Sequence, residues 1–176
     1  MNGMLIMGIY IAIVAVLTVL FVILVGKTPI FEIFNDIIII RDLMYPANIH
    51  NYTIKSIRLI DKLPGGMFRI NGYGGIKRWK GIYGIKNGLY KKGYLYVENH
   101  LKGPVIELKT ANSLIYINLK TEEQTKHLYD EMMSTIKFVD ENELIDCQVI
   151  SVWRSILVVV VFTAIIGLPS LLHLLI

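Results

Sequence analysis

The chain has 176 residues, of which 54% are hydrophobic, and it carries a formal net charge of +4 at pH 7. This composition is too apolar for an ordinary soluble domain of that length. Cys147 is the only cysteine, which excludes an internal disulfide and any metal site built from several cysteines. All Asp, Glu, Lys and Arg residues lie between Lys27 and Arg154, so the apolar excess is concentrated at the two ends.

The two end segments, residues 4–26 and 155–176, are predicted transmembrane helices. Neither contains Asp, Glu, Lys or Arg, and each is long enough as a helix to cross a hydrocarbon core of about 30 Å. The first segment has no basic region before it and no small-residue cleavage site after it, so it predicts an uncleaved anchor rather than a signal peptide. Small side chains predict where the two spans, or two protomers of a homo-oligomer, pack together. These are Gly8, Ala12, Ala15 and Gly167.

The basic residues that flank these spans predict the membrane orientation. Lys27 and Arg41 follow the first span, and Lys137 and Arg154 precede the second, whereas the terminal tails contain no Lys or Arg. The positive-inside rule then places the central domain in the cytoplasm and both termini outside.

The segment between the spans predicts a β-rich domain over residues 30–137, followed by a linker over 138–154. Short apolar, β-branched or aromatic runs indicate strands. These runs are 37–40, 54–61, 89–97, 104–109 and 113–119. The last two bracket Ala111-Asn112 and predict a hairpin, and Gly93 marks a candidate β-bulge in the third.

A helix is predicted over residues 121–137 because Thr121 and Gln124 form a capping box. Leu128, Met132 and Ile136 lie four residues apart and give this helix an apolar stripe that should pack on the sheet. Strands followed by one helix indicate an α+β fold, or a sandwich or barrel with a capping helix.

Residues 62–93 form a segment with eight basic residues, nine glycines and no acidic residue. Basic and aromatic side chains together predict an electropositive surface for anionic lipid headgroups or for a membrane-protein partner. The alternative is a set of twisted strands with solvated cations, in which Arg69 pairs locally and Asn71-Gly72 forms a tight turn. The candidate contact residues are Arg69, Lys77, Arg78, Trp79, Lys80, Lys86, Lys91 and Lys92.

Sequence motifs for catalysis and metal binding do not fit this chain. Gly26-Lys27-Thr28 ends like a phosphate-binding loop, but Phe21 stands where that motif requires glycine. No histidine has a second histidine four residues away. We therefore predict no catalytic residues, no metal and no cofactor, with an enzyme carrying a dispersed site as a minor alternative. Nucleic acid is a poor fit for a doubly anchored domain.

The central segment resembles the bacterial PH-domain family of membrane-anchored proteins over roughly residues 30–137. The matching features are Arg69-x-Asn71-Gly-x-Gly74, the later Gly81-Ile-Tyr-Gly84 and the strands of 104–119 before a helix. The resemblance implies a PH-like, partly open barrel of antiparallel strands with a C-terminal capping α-helix. It also implies a bacterial plasma membrane. It transfers no catalytic or phosphoinositide-binding residues to this chain.

Together these features predict a non-enzymatic, membrane-tethered binding or scaffold protein. Its partners would be the lipid bilayer, anionic headgroups or another membrane protein. The alternative is an accessory subunit of a membrane transport or secretion complex, in which the two helices form the interface.

Overall fold

The computed structural model describes residues 3–75, 77–85, 92–111 and 113–136. Several predicted features lie outside these described residues. They are the linker 138–154, the second span 155–176 with Gly167, and the basic residues Lys86 and Lys91.

The first span is a helix, α1, over Gly3–Val25. Its segment Met7–Leu24 is long and apolar enough to cross a membrane, and none of it is buried. A helix that is apolar on all sides suits a lipid environment better than water. The chain therefore has one N-terminal helix able to span a membrane. Gly8, Ala12 and Ala15 are exposed on α1, so their role in helix packing stays a prediction.

The chain divides into two compact units, and the one that begins at Thr28 contains nine strands, one α-helix and a short 3₁₀ helix (Asn51–Thr53) within its described residues. The strands are β1 (Ile30–Ile33), β2 (Ile37–Arg41), β3 (Ala47–His50), β4 (Ile54–Ile60), β5 (Met67–Gly74), β6 (Trp79–Ile85), β7 (Lys92–Val97), β8 (Val105–Thr110) and β9 (Leu114–Asn118). The helix is α2 (Glu122–Thr135).

These strands form two separate sheets. β1, β2 and β3 make a three-stranded antiparallel sheet, and the other six strands are ordered β4-β8-β9-β7-β6-β5. β7 and β9 are parallel, whereas the other pairs of the large sheet are antiparallel. A β-rich domain with a C-terminal helix is thus confirmed. The described strands do not close into a barrel.

The period-two pattern of the central strands explains why both faces of the large sheet are buried. On β9, Ile115 and Ile117 face the small sheet and α2, while Tyr116 faces the opposite side. The predicted hairpin is confirmed, because β8 and β9 pair antiparallel around Ala111.

Helix α2 begins where the capping box predicted. The Thr121 hydroxyl accepts a hydrogen bond from the Gln124 backbone N–H at 3.2 Å, which satisfies one of the free N–H groups of the first turn. Leu128 and Met132 are buried against the strands, followed by Ile136 just after the helix. The predicted apolar stripe is therefore confirmed.

Two local predictions from glycine were wrong. The register between β6 and β7 runs through Gly93 without interruption, and the irregularities lie at Arg69/Asn71 in β5 and at Ile54/Ser56 in β4. Asn71-Gly72 is not a turn, because both residues lie inside β5. A Cβ at Gly72 would lie 2.2 Å from the Lys80 carbonyl oxygen, so glycine is required there for close strand approach.

Candidate functional site

The basic, glycine-rich segment forms β5, β6 and the start of β7. β5 is one of the two outer strands of the large sheet, the other being β4. The first acidic residue after this segment is Glu98, directly after β7. The structure divides the predicted contact residues into a buried group and an exposed group.

Lys80 belongs to the buried group. Only 2% of its side chain is exposed, and its Nζ lies 3.1 Å from Asp42 Oδ2 and 3.8 Å from Glu98 Oε1. On β6 it points to the face opposite Trp79 and Tyr83, where the β2–β3 loop packs. Lys80 is therefore an internal ion-pair partner, which corrects its prediction as a lipid or partner contact.

Arg78 and Glu98 extend this buried cluster to the surface. Arg78 Nε lies 2.8 Å from Glu98 Oε2, and the Glu98 side chain is fully buried while that of Arg78 is 35% exposed. A buried carboxylate is tolerated only when nearby cations compensate its charge. Arg78 therefore neutralises Glu98 instead of presenting a free charge to a partner.

Asp42 fixes the β2–β3 loop against the large sheet. Its Oδ1 accepts hydrogen bonds from the backbone N–H groups of Met44 and Tyr45, each at 3.0 Å. The Tyr45 hydroxyl donates to Asn71 Oδ1 at 3.2 Å, and the Tyr96 hydroxyl donates to the Tyr45 carbonyl at 2.8 Å. Burial, reinforced by Asp42, raises the pKa of Tyr45. The hydrogen bond between Tyr45 and Asn71 therefore links the β2–β3 loop to β5 of the large sheet.

Trp79 is held in an aromatic stack within the domain. Its ring stacks with that of His100, with centroids 4.2 Å apart, and with that of Tyr83, at 5.8 Å. His100 is itself held by the Lys77 carbonyl, which lies 2.8 Å from its Nδ1. Trp79 is thus partly buried against two rings of its own domain, which limits its role as an interfacial contact.

The exposed group lies along β5. Phe68, Ile70 and Tyr73 are 56%, 49% and 39% exposed, and Arg69 between the first two is also exposed. Lys77 follows β5 and is exposed as well. We call Phe68, Arg69, Ile70, Tyr73 and Lys77 the β5 edge surface. Lys92, at the start of β7, is exposed but lies two strands away.

Glycines on β5 and β6 make this arrangement possible. The Phe68 ring covers Gly84 so closely that a Cβ there would collide with it. The Arg69 guanidinium lies over Gly74, at 3.2 Å from the position of a Cβ. Arg69 was among the contact residues predicted from the sequence. Phe68 belonged to the aromatic residues of the basic segment but not to the predicted contacts, and Ile70 was not predicted.

Metal binding has no visible basis in the part of the chain that the structure describes, because no three His, Cys, Asp or Glu side chains come together there. Comparison with models of protein families gives no match, and neither a curated protein nor a solved structure is significantly similar to this chain.

Proposed function

We propose that this protein is a non-enzymatic, membrane-tethered binding domain whose β5 edge surface contacts anionic lipid headgroups. The observation that carries the proposal is the exposure of Phe68 and Ile70 on either side of Arg69, within a stretch that has no acidic residue from 62 to 97. Apolar side chains beside cations, without nearby anions, are suited to the headgroup layer of an anionic bilayer.

The tether supports this proposal. α1 ends at Val25 and β1 begins at Ile30, so only four residues separate an apolar helix from the domain. Because a tethered domain has a high effective concentration at the bilayer surface, weak contacts are enough to hold it there. Each cation near an anionic surface contributes about 1 kcal/mol, and burying the exposed half of an apolar side chain contributes about as much.

The family resemblance is compatible with this role. Two sheets followed by a C-terminal helix are the elements expected of a PH-like domain, and we propose membership of the bacterial PH-domain family on the sequence features given above. The parallel β7–β9 pair is a departure from the purely antiparallel sheets that the resemblance implied.

The test measures contact between β5 and lipid in the full chain. A single cysteine at position 73, introduced as Tyr73→Cys on a Cys147→Ser background, is labelled with a fluorophore, and the protein is placed in nanodiscs that contain brominated lipid. We expect strong quenching with phosphatidylglycerol and weak quenching with phosphatidylcholine alone. A fluorophore introduced by Met133→Cys, at a residue that is 40% exposed on α2, which packs on β1, β4, β8 and β9, provides the reference for no contact.

Charge-reversal variants then test whether quenching depends on cations of the β5 edge surface or only on the net charge of the domain. Arg69→Glu with Lys77→Glu should reduce quenching to the reference level. The control, Lys55→Glu with Lys120→Glu, makes the same change in net charge at two exposed lysines away from β5. If both pairs behave alike, or if quenching does not depend on lipid charge, the proposed surface is wrong. The hypothesis of an accessory subunit, in which the membrane spans form the interface, would then be favoured over lipid contact at β5.

A further inference from the structure

A second surface lies between strand β1 and helix α2, away from the β5 edge surface. β1 is an outer strand of the small sheet and pairs only with β2 among the described strands. The Phe34 N–H donates to the Ile37 carbonyl, and hydrogen-bonded pairs alternate along an antiparallel ladder. The backbone N–H and C=O groups of Phe31 and Ile33 therefore point away from β2, along an edge that pairs with no described strand, here called the free edge of β1.

An open groove of about 730 Å³ runs beside this edge. One wall is the start of β1, with Ile30 and Phe31, and the other wall is α2. Leu128 contributes apolar surface inside the groove, and Glu123, His127 and Glu131 line it from the helix. Ile30 is 60% exposed. A free strand edge beside an apolar groove is the arrangement in which an added strand gains both backbone hydrogen bonds and side-chain burial.

The charge of the groove indicates what kind of strand would fit. Glu123 and Glu131 are exposed, and neither forms an ion pair among the described residues. Lys120 is the one Lys or Arg among the described residues that line the groove. The helix wall therefore favours a cationic partner and disfavours an anionic lipid headgroup. In β1 itself Glu32 is already paired with Arg41 at 2.8 Å, so a second copy of this strand would bring no uncompensated cation to these carboxylates.

We propose that this groove binds an extended peptide segment of a partner protein, added as a strand to the free edge of β1. The segment alternates apolar residues with Lys or Arg. Its apolar side chains contact Phe31 and Leu128, and its cations lie near Glu123 and Glu131. The proposal is independent of lipid contact at β5, and it gives the tethered domain a protein partner.

The experiment selects peptides from a random phage-displayed library on the full chain in nanodiscs. Selected peptides are then synthesised with a fluorophore, and their Kd is measured by anisotropy. We expect alternating basic and apolar sequences. Glu131→Lys should weaken their binding about tenfold, because an attraction of about 1.4 kcal/mol is lost or reversed. Asp130→Lys is the matched control: it makes the same charge change at the adjacent exposed residue, which does not line the groove.

Hydrogen exchange locates the bound peptide. The Phe31 and Ile33 amides should exchange more slowly when the peptide is added, whereas amides of β5 should not change. The proposal is overturned if the library yields no enriched sequence, or if the selected peptides bind Glu131→Lys and Asp130→Lys equally. It is also overturned if these two amides are already protected without peptide, by lipid or by a second copy.

Discussion

The buried cluster around Lys80 makes a sharp prediction about stability. Lys80→Met removes the cation that lies 3.1 Å from Asp42 and 3.8 Å from Glu98. The two carboxylates then remain almost entirely buried, at 5% and 0% side-chain exposure. Removing one partner from a buried ion pair costs about 3–5 kcal/mol, because the remaining charge has lost its compensation.

The structure places the expected loss at the lower end of that range. Arg78 still compensates Glu98, and Asp42 keeps two backbone N–H donors. We therefore expect Lys80→Met to lower the free energy of unfolding by about 3 kcal/mol. That is a large share of the roughly 5–15 kcal/mol that stabilises a typical domain.

The assay is urea unfolding of the full chain in detergent micelles, followed by the fluorescence of Trp79 on a Trp153→Phe background. Trp79 is a suitable reporter because its stack with His100 and Tyr83 is lost when the domain unfolds. Lys77→Met is the control, since that side chain is exposed and its loss should change stability by no more than about 0.5 kcal/mol.

Neutralising the partners provides a second readout. Asp42→Asn combined with Lys80→Met should cost less than the sum of the two single changes, by about 0.5–3 kcal/mol, because contacting residues are coupled. If Lys80→Met costs no more than Lys77→Met, or if the two changes are strictly additive, the buried ion pair does not stabilise the domain and the reasoning is refuted.

Three further predictions concern α2, the β5–β6 contact and tyrosine ionisation. Thr121→Ala should lower the free energy of unfolding by about 1 kcal/mol, because the Gln124 N–H loses its acceptor; full stability in urea would contradict the cap. Gly81→Ala should prevent stable folding, since its φ is +120° and a Cβ would lie 2.4 Å from the Asn71 carbonyl oxygen. Gly65→Ala, in open space, should fold normally, and equal circular dichroism melts for the two would refute this explanation. Burial and Glu107 raise the pKa of Tyr116.

Because the pKa of Tyr116 is raised in the folded state, the direction in which pH changes stability can be derived. The folded-state pKa lies above the unfolded value of about 10, so the neutral phenol contributes its full stability below that pH. The contribution falls as pH rises from the unfolded toward the folded pKa. Unfolding free energy measured in urea should therefore decrease above about pH 10, and Tyr116→Phe should reduce that decrease. An identical pH dependence in the variant would contradict it.

Local sequence patterns determined several features of this protein. The uncharged run of α1, the capping box at Thr121 and the hairpin of β8 and β9 depend on residues within one element or one turn. Such signals are complete in a short window, because backbone caps, side-chain alternation and apolar length act between neighbours. Short β-branched and aromatic runs likewise predicted a β-rich domain, and the capping box predicted its C-terminal helix.

Only the tertiary structure decided which cations are available. Lys80 and Lys77 are three residues apart and look equivalent in the sequence, but Lys80 meets an aspartate 38 residues away while Lys77 remains exposed. A charged side chain is buried only when distant partners compensate it, and sequence spacing does not reveal those partners. The free edge of β1 and its groove with α2 have the same origin: they arise where non-neighbouring elements pack, and no local pattern encodes them.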